Sequence, residues 1–399
     1  MTVCLCLAGL QETRALEQSD GVYRIGNAVD LIDFAGLVNG GLNAAQAVIT
    51  DDIDLSGSSF TPIGNTLVPF RGSIDGQGHT ISNYYYESKA DAEGFIGLLH
   101  GGTVENLTVE GTLVARNGAT GLVGFADGNA VVRNVVSRIN VDCQNTGHCG
   151  GVVGSLRQAH IDRCTYEGVF EIQDGIKGDS DGGVAGYTNT GRITNCLFAG
   201  TIKANGSNNL GGILGYVNNG SFQGLDNNLS VGTFEVASPS ATTAAVLGHA
   251  NSSTPKNKLN NNYYREGCGL ESGMKGSQAV ATTCVNDEQL ASGEVAYCLN
   301  KGNETAVWMQ EIGVDKRPTL QGDKVVYANG TLNCDGTPKD DLVYSNTCDE
   351  LKQDPHLFDE ELGVCSTCGQ FEKDADGYVL VRSGKALRLV AERVNGGQT

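Results

Sequence analysis

The stretch GGVAGYTNTGRITNCLFAG, residues 182–200, decides the fold. Its core phrase, glycine–apolar–apolar–glycine, returns in GFIGLLHGGTVENLTVEG from Gly94, GLVGFADGNAVVRNVV from Gly121, GGVVGSLRQAHIDRCTYEG from Gly150 and GGILGYVNNGSFQG from Gly211, with a worn copy, AAVLGHANSS, from Ala244. Counted on the second glycine of each copy (Gly97, Gly124, Gly154, Gly186, Gly215, Gly248), the spacings are 27, 30, 32, 29 and 33 residues. A period near 30 residues is the mark of a repeat architecture.

Local alternation identifies the repeated element. TVENLTVEGTLVA and RITNCLFAGTIKA carry apolar side chains at every second position, the pattern of a half-buried strand, and no 3.6-residue period runs through them. A unit this short cannot bury its apolar face alone, so neighbours must stack on it. The expected fold is all-β, a β-solenoid whose coils sit about 4.8 Å apart through strand-to-strand hydrogen bonds. Stacking then creates columns. Val104, Ile161 and Ile193 stand seven residues after their glycines, followed by Asn106, Arg163 and Asn195 at nine and by Leu107, Cys164 and Cys196 at ten, with a one-residue slip to Val132 and Asn134 in the second copy. Aligned asparagines suit an amide ladder or a turn. Cys164 and Cys196 fall close enough for a disulfide, although parallel stacked side chains favour two buried thiols.

The glycine phrase followed by an alternating strand resembles the GLUG repeat, found in secreted and surface proteins of bacteria and in stalk regions of IgA-cleaving metallopeptidases. The flanks share the resemblance: FTPIGNTLVPFRGSIDGQGHTISN, residues 60–83, looks like the coil that precedes such repeats. ASGEVAYCLNKGNETAVWMQEIGVDKRPTL, residues 291–320, looks like the segment that closes them. The resemblance implies a right-handed parallel β-helix with short capping helices and a surface location, and it implies no reaction.

The ends carry a second repetition. DGVYRIGNAVDLIDFAGLVNGG, residues 20–41, is echoed by DGYVLVRSGKALRLVAERVNGG, residues 376–397. In the first copy Asn27 suits an N-cap, Leu31, Phe34, Ala35 and Val38 form one apolar face, and Gly40 ends the helix. Leu387, Val390, Ala391 and Val394 repeat that face behind Ser383. The expected division is an upstream linker or signal remnant (1–19), a cap helix and opening coils (20–93), the repeats (94–285), a closing helix from Asp287 to about Leu299 and a strand near Val325–Tyr327 (286–330), a Cys-containing acidic linker (331–375), and the start of a second module (376–399). Tandem modules or head-to-tail association would both use that last segment.

Composition narrows the partners. A net charge of −19 without a basic cluster excludes nucleic acid and anionic membrane surfaces as partners, and the longest apolar run, residues 3–10, is too short to span a bilayer. Thirteen cysteines fit an oxidising, extracellular or cell-surface setting. Cys143/Cys149, Cys268/Cys284 and Cys334/Cys348 are close in sequence, and Cys365 and Cys368 form CSTC; the last four read as a disulfide-tied linker, with a four-cysteine zinc site as the alternative.

No catalytic motif is present. The histidines lack metal-ligand spacing, there is no H-E-x-x-H and no G-x-S-x-G. DDIDL (Asp51, Asp52, Asp54) reads as a strand start with water-facing carboxylates, and Asp174, Asp179 and Asp181 share one loop at a spacing that suits weak calcium binding. Tyr84–Tyr86 and Tyr263–Tyr264 either stack on a ligand or alternate into the core. The expected function is a non-enzymatic extracellular stalk or adhesin module that binds a glycan or protein. The alternatives are a β-helical polysaccharide lyase or hydrolase, and the stalk of a larger surface peptidase.

Overall fold

The computed structural model describes residues 16–322 apart from 117, 145–146, 177–178, 206–208, 219, 302 and 304, together with 334 and 355–397. Residues 1–15, the proposed strand near Val325–Tyr327 and Cys348 lie outside the described residues. The chain divides into two compact units, 1–284 and 285–399.

The first unit is a β-solenoid built from parallel strands. One column of paired residues runs through it rung by rung: Tyr23, Ala47, Ile74, Val104, Val132, Ile161, Ile193, Leu225 and Leu259. From Ala47 onward each side chain in this column is buried. Alternation explains the pattern, because every second residue of a strand points to the same face. Two residues further on, the chain turns a corner in the left-handed region at Asn106, Asn134, Arg163, Asn195, Asn227 and Asn261, with φ between 51° and 59°. Asparagine tolerates that conformation better than other residues with a Cβ apart from aspartate. The corner amides also ladder: Asn134 donates to Asn106 at 2.9 Å and Asn261 to Asn227 at 2.8 Å.

The following position forms an inner column of Leu107, Val135, Cys164, Cys196, Asn228 and Asn262. Cys164 and Cys196 are buried free thiols. The Cys196 Sγ lies 3.2 Å from the Thr194 carbonyl, and burial pushes its thiol up. Where the column changes to asparagine, the buried amides are satisfied: Asn228 donates to Asn262 at 2.9 Å and accepts from the Cys196 N–H at 2.8 Å.

The repeated glycine phrase builds a second parallel sheet, with Ile96, Val123, Val153, Ala185, Leu214 and Leu247 in register. Its second glycine is required by the approach of backbones. A Cβ on Gly186 would sit 2.7 Å from the carbonyl oxygen of Gly154 on the neighbouring coil and 2.7 Å from that of Ser180. No side chain fits between these coils.

Helix α1, Ala28–Asn39, lies in the first coil. Asn27 caps it, accepting from the N–H groups of Val29 (3.0 Å) and Asp30 (3.1 Å). Leu31, Phe34, Ala35 and Val38 all enter the solenoid core, where the Phe34 ring meets Phe70 edge-on at 6.2 Å. Ile53 and Leu55 of DDIDL point inward, while Asp52 and Asp54 face water; the Thr80 N–H, bonded to the Asp52 carboxylate, holds its pKa below the usual carboxylate range. Tyr84 is buried and Tyr85 is exposed, as alternation requires.

In the second unit the expected single helix from Asp287 is two helices, α2 (Asp287–Ala291) and α3 (Glu294–Asn300). The break falls at Gly293, whose φ of 89° no helix accommodates. Asn286 and Gln289 form a reciprocal capping box on α2, and Trp308 is wholly buried, with Asn300 accepting from its backbone N–H at 2.9 Å. Helix α4, Gly384–Asn395, is capped by Ser383, which accepts from Ala386 N–H at 2.9 Å.

Candidate ligand-binding face

The glycine column fixes what projects outward beside it. The residue after each second glycine faces away from the core, which places Leu98, Phe125, Ser155, Tyr187, Tyr216 and His249 in one outer column. Two residues further along stands a parallel polar column, His100, Asp127, Arg157, Asn189, Asn218 and Asn251.

The two columns interlock. The hydroxyl of Tyr187 donates to Asn189 at 2.7 Å and that of Tyr216 to Asn218 at 2.7 Å, while the Asn251 amide donates to Asn218. The rings contact one another: Tyr187 and Tyr216 lie edge-to-face with centroids 5.7 Å apart, and Tyr216 and His249 meet likewise at 5.0 Å. At the other end Asp127 binds His100 at 2.6 Å and Arg157 at 3.1 Å, and the Arg157 guanidinium lies over Phe125. Asp127 thus has a side-chain partner on each side.

A cavity of about 380 Å³ opens on this face, lined by Phe125, Tyr187, Asn189, Arg157, His148 and the carboxylates of Asp91 and Asp179 among others. His148 stacks on Tyr187 with ring centroids 4.3 Å apart and stands 3.8 Å from Asp179. Burial lowers its pKa despite the nearby carboxylates, so the ring is held neutral. Aromatic planes bordered by amides suit a ligand with apolar faces and hydroxyl edges.

The loop aspartates are not brought together among the described residues. Asp181 is buried, accepting from the Cys149 N–H at 3.3 Å, whereas Asp179 faces His148 on the outside and Asp174 is exposed on a turn. Asp181 lies within the buried strand Ser180–Gly182 while Asp179 precedes it on the exposed loop, so these described residues form no pocket with three carboxylates. Cys143 and Cys149 do meet, with sulfur atoms 2.6 Å apart in the core beside Asp181. Cys268 is buried and Cys284 exposed.

In the second unit the CSTC turn gathers Cys365, Cys368, Cys334 and a residue that spacing could not reveal, His356. The N–H of Cys368 draws the Cys365 thiol down to about 5, while desolvation pushes Cys334 up to about 12.

The outer columns were legible in the repeats, since the position after the second glycine is Phe125, Tyr187, Tyr216 or His249 in four copies. His356 had no such signal.

No family model matches the chain. It is 37% identical over 121 residues to halomucin of Haloquadratum walsbyi, a match that covers 27% of this chain and 1% of that protein. The chain therefore spans a very small part of that relative's length. Its fold is similar to the crystal structure of a putative immunoglobulin A1 protease from Bacteroides ovatus, with a TM-score of 0.55 at 18% identity, over 75% of this chain and 92% of the other. This likeness shows the β-solenoid. Among the described residues no helix is long and apolar enough to cross a membrane.

Proposed function

We propose that the chain is an extracellular or cell-surface β-helical module of the GLUG-repeat kind, without catalytic activity, that binds an extended glycan along its aromatic–amide face. The observation that carries this reading is the run of Tyr187, Tyr216 and His249 with Asn189, Asn218 and Asn251 on successive rungs. Each rung offers a ring face to the apolar side of a sugar and an amide to its hydroxyls. A rung spacing of about 4.8 Å lets a linear chain present its units along the solenoid axis. The sequence match to halomucin, whose name denotes a mucin, supports the surface setting. Right-handed winding, general for parallel β crossovers, completes the fold. The Cys143–Cys149 pair forms a disulfide in that setting, and residues 376–397 repeat the capped-helix pattern of residues 20–41.

The test is calorimetric titration of the full chain against neutral and acidic oligosaccharides of graded length. Affinity should rise with length, and Tyr187→Ala or Tyr216→Ala should each weaken it by about 10-fold, the equivalent of roughly 1.4 kcal/mol for a lost stacking partner. Binding to none of them, or binding unchanged in both variants with an intact solenoid by circular dichroism, would overturn the reading.

One observation favours a second reading: Asp91 and Asp179 share the cavity with His148 and Arg157. A carboxylate pair with a basic partner could cleave the bound glycan. Product formation that Asp179→Asn abolishes would establish a glycan-cleaving enzyme in place of a binding module.

A further inference from the structure

The second unit contains a group of side chains that the glycan reading leaves unused. The Sγ atoms of Cys334, Cys365 and Cys368 and a ring nitrogen of His356 all lie within 4.8 Å of one another. Cys334 and Cys365 present their sulfurs 3.4 Å apart, and the His356 Nδ1 stands 3.4 Å from the Cys368 Sγ. A tetrahedral zinc ion with bonds of about 2.3 Å to sulfur and about 2.0 Å to nitrogen separates its ligand atoms by roughly 3.5–3.8 Å, close to these values.

Local backbone holds the group in place. Phe358 pairs with Cys365 and Val364 with Phe371 in antiparallel bridges, which set the CSTC turn on a small ribbon. The turn closes as Gly369 N–H reaches the Cys365 carbonyl at 2.9 Å and Cys365 N–H reaches Gln370 at 2.8 Å. Gly369 takes φ 74°, the left-handed conformation that lets the chain leave the second cysteine. Arg393 of α4 braces the same turn, donating to the Gly369 carbonyl at 2.7 Å while its guanidinium covers Phe371.

We propose that Cys334, His356, Cys365 and Cys368 form a structural zinc site that stabilises residues 355–397. Three thiolates and a neutral imidazole make a closed four-ligand set of the kind structural zinc uses, and soft sulfur donors select zinc over calcium or magnesium. The imidazole distinguishes this from a disulfide cluster. A disulfide joins two sulfurs and has no use for a histidine nitrogen facing the third. The need for a staple is visible as well. Among the described residues of 355–397 the buried apolar side chains are those of Cys365 and Ala386, far too little core to order the segment alone. On binding, the thiols release their protons to solvent and the metal bonds supply folding energy.

The test uses the full chain, purified reduced and without chelator, with zinc content measured by plasma mass spectrometry and cobalt substituted as an optical probe. The expected result is one zinc per chain, and cobalt bands of tetrahedral sulfur coordination. Hydrogen exchange across 355–397 should speed up when a strong chelator is added. Cys368→Ser and His356→Ala should lose the metal. His356→Cys should keep it, as should Cys348→Ser and the double variant Cys143→Ser/Cys149→Ser. The proposal is overturned if the reduced chain holds no zinc, if Cys348→Ser abolishes binding, if the Cys143/Cys149 variant does so, or if peptide mapping of the protein from its source finds Cys365 in a disulfide.

Discussion

Helices α1 and α4 are written from the same pattern, begin behind an equivalent cap and run for twelve residues each. Their surroundings differ entirely. In α1, Leu31 and Val38 are 0% exposed, sealed in the solenoid core; in α4, the matching Leu387 and Val394 are 60% and 63% exposed. The cap is local chemistry, so it forms in both. Burial depends on the coils packed against α1; among the described residues nothing buries the matching face of α4 in the same way. A helix face in this protein therefore takes its energy from the stack it covers, and little from the helix itself.

The largest effect separates the two copies by one matched substitution. Leu31→Ala should destabilise the first unit by about 2–5 kcal/mol, the usual cost of a core cavity, while Leu387→Ala should stay within about 0.5 kcal/mol. Denaturant unfolding followed by circular dichroism, with hydrogen exchange to localise the change, measures both. Equal losses would end the comparison. The next effect tests the stack on which α1 depends. Gly186→Ala drives a Cβ toward carbonyl oxygens of Gly154 and Ser180 at 2.7 Å, and should cost about 1–3 kcal/mol. Gly36→Ala, on the exposed side of α1 with nothing within 4 Å, should instead stabilise by about 0.5–1 kcal/mol.

Removing the caps sharpens the contrast from the other side. Asn27→Ala and Ser383→Ala should each cost about 1 kcal/mol to their own helix, because each side chain satisfies backbone N–H groups whatever lies beyond. The smallest effect is acid sensitivity. Burial lowers the pKa of His148, His160 and His249, all in the first unit. The unfolded chain then binds protons before the folded one does, so stability present above about pH 6.5 falls as pH drops below it. A stability-versus-pH curve that rises on acidification through that window would contradict the assignment.

The solenoid was legible because its information is periodic. Six copies of the glycine phrase record how closely coils pack, and alternation around Val104, Ile161 and Ile193 records which side faces in. The α1 cap and apolar face were legible for the same local reasons. What escaped depends on the path of the chain. His356 reaches the cysteines through a ribbon of isolated bridges with no periodic signature. The helix break at Gly293 turns on a backbone angle within a run that still reads as helical. Asp179 and Asp181 are neighbours in a loop by sequence, but the strand that begins at Ser180 takes Asp181 into the core and leaves Asp179 outside on the exposed loop.

The stack itself can be measured with spin labels. Glu87, Val114, Asp142, Glu171, Lys203 and Glu235 occupy one register position on successive rungs. Cysteine-linked labels at Glu87, Asp142, Glu171 and Glu235, taken pairwise by electron double resonance, should give distances that grow by about 4.8 Å per rung, reaching roughly 24 Å between Glu87 and Glu235. Distances that follow sequence separation instead of rung number would contradict the account.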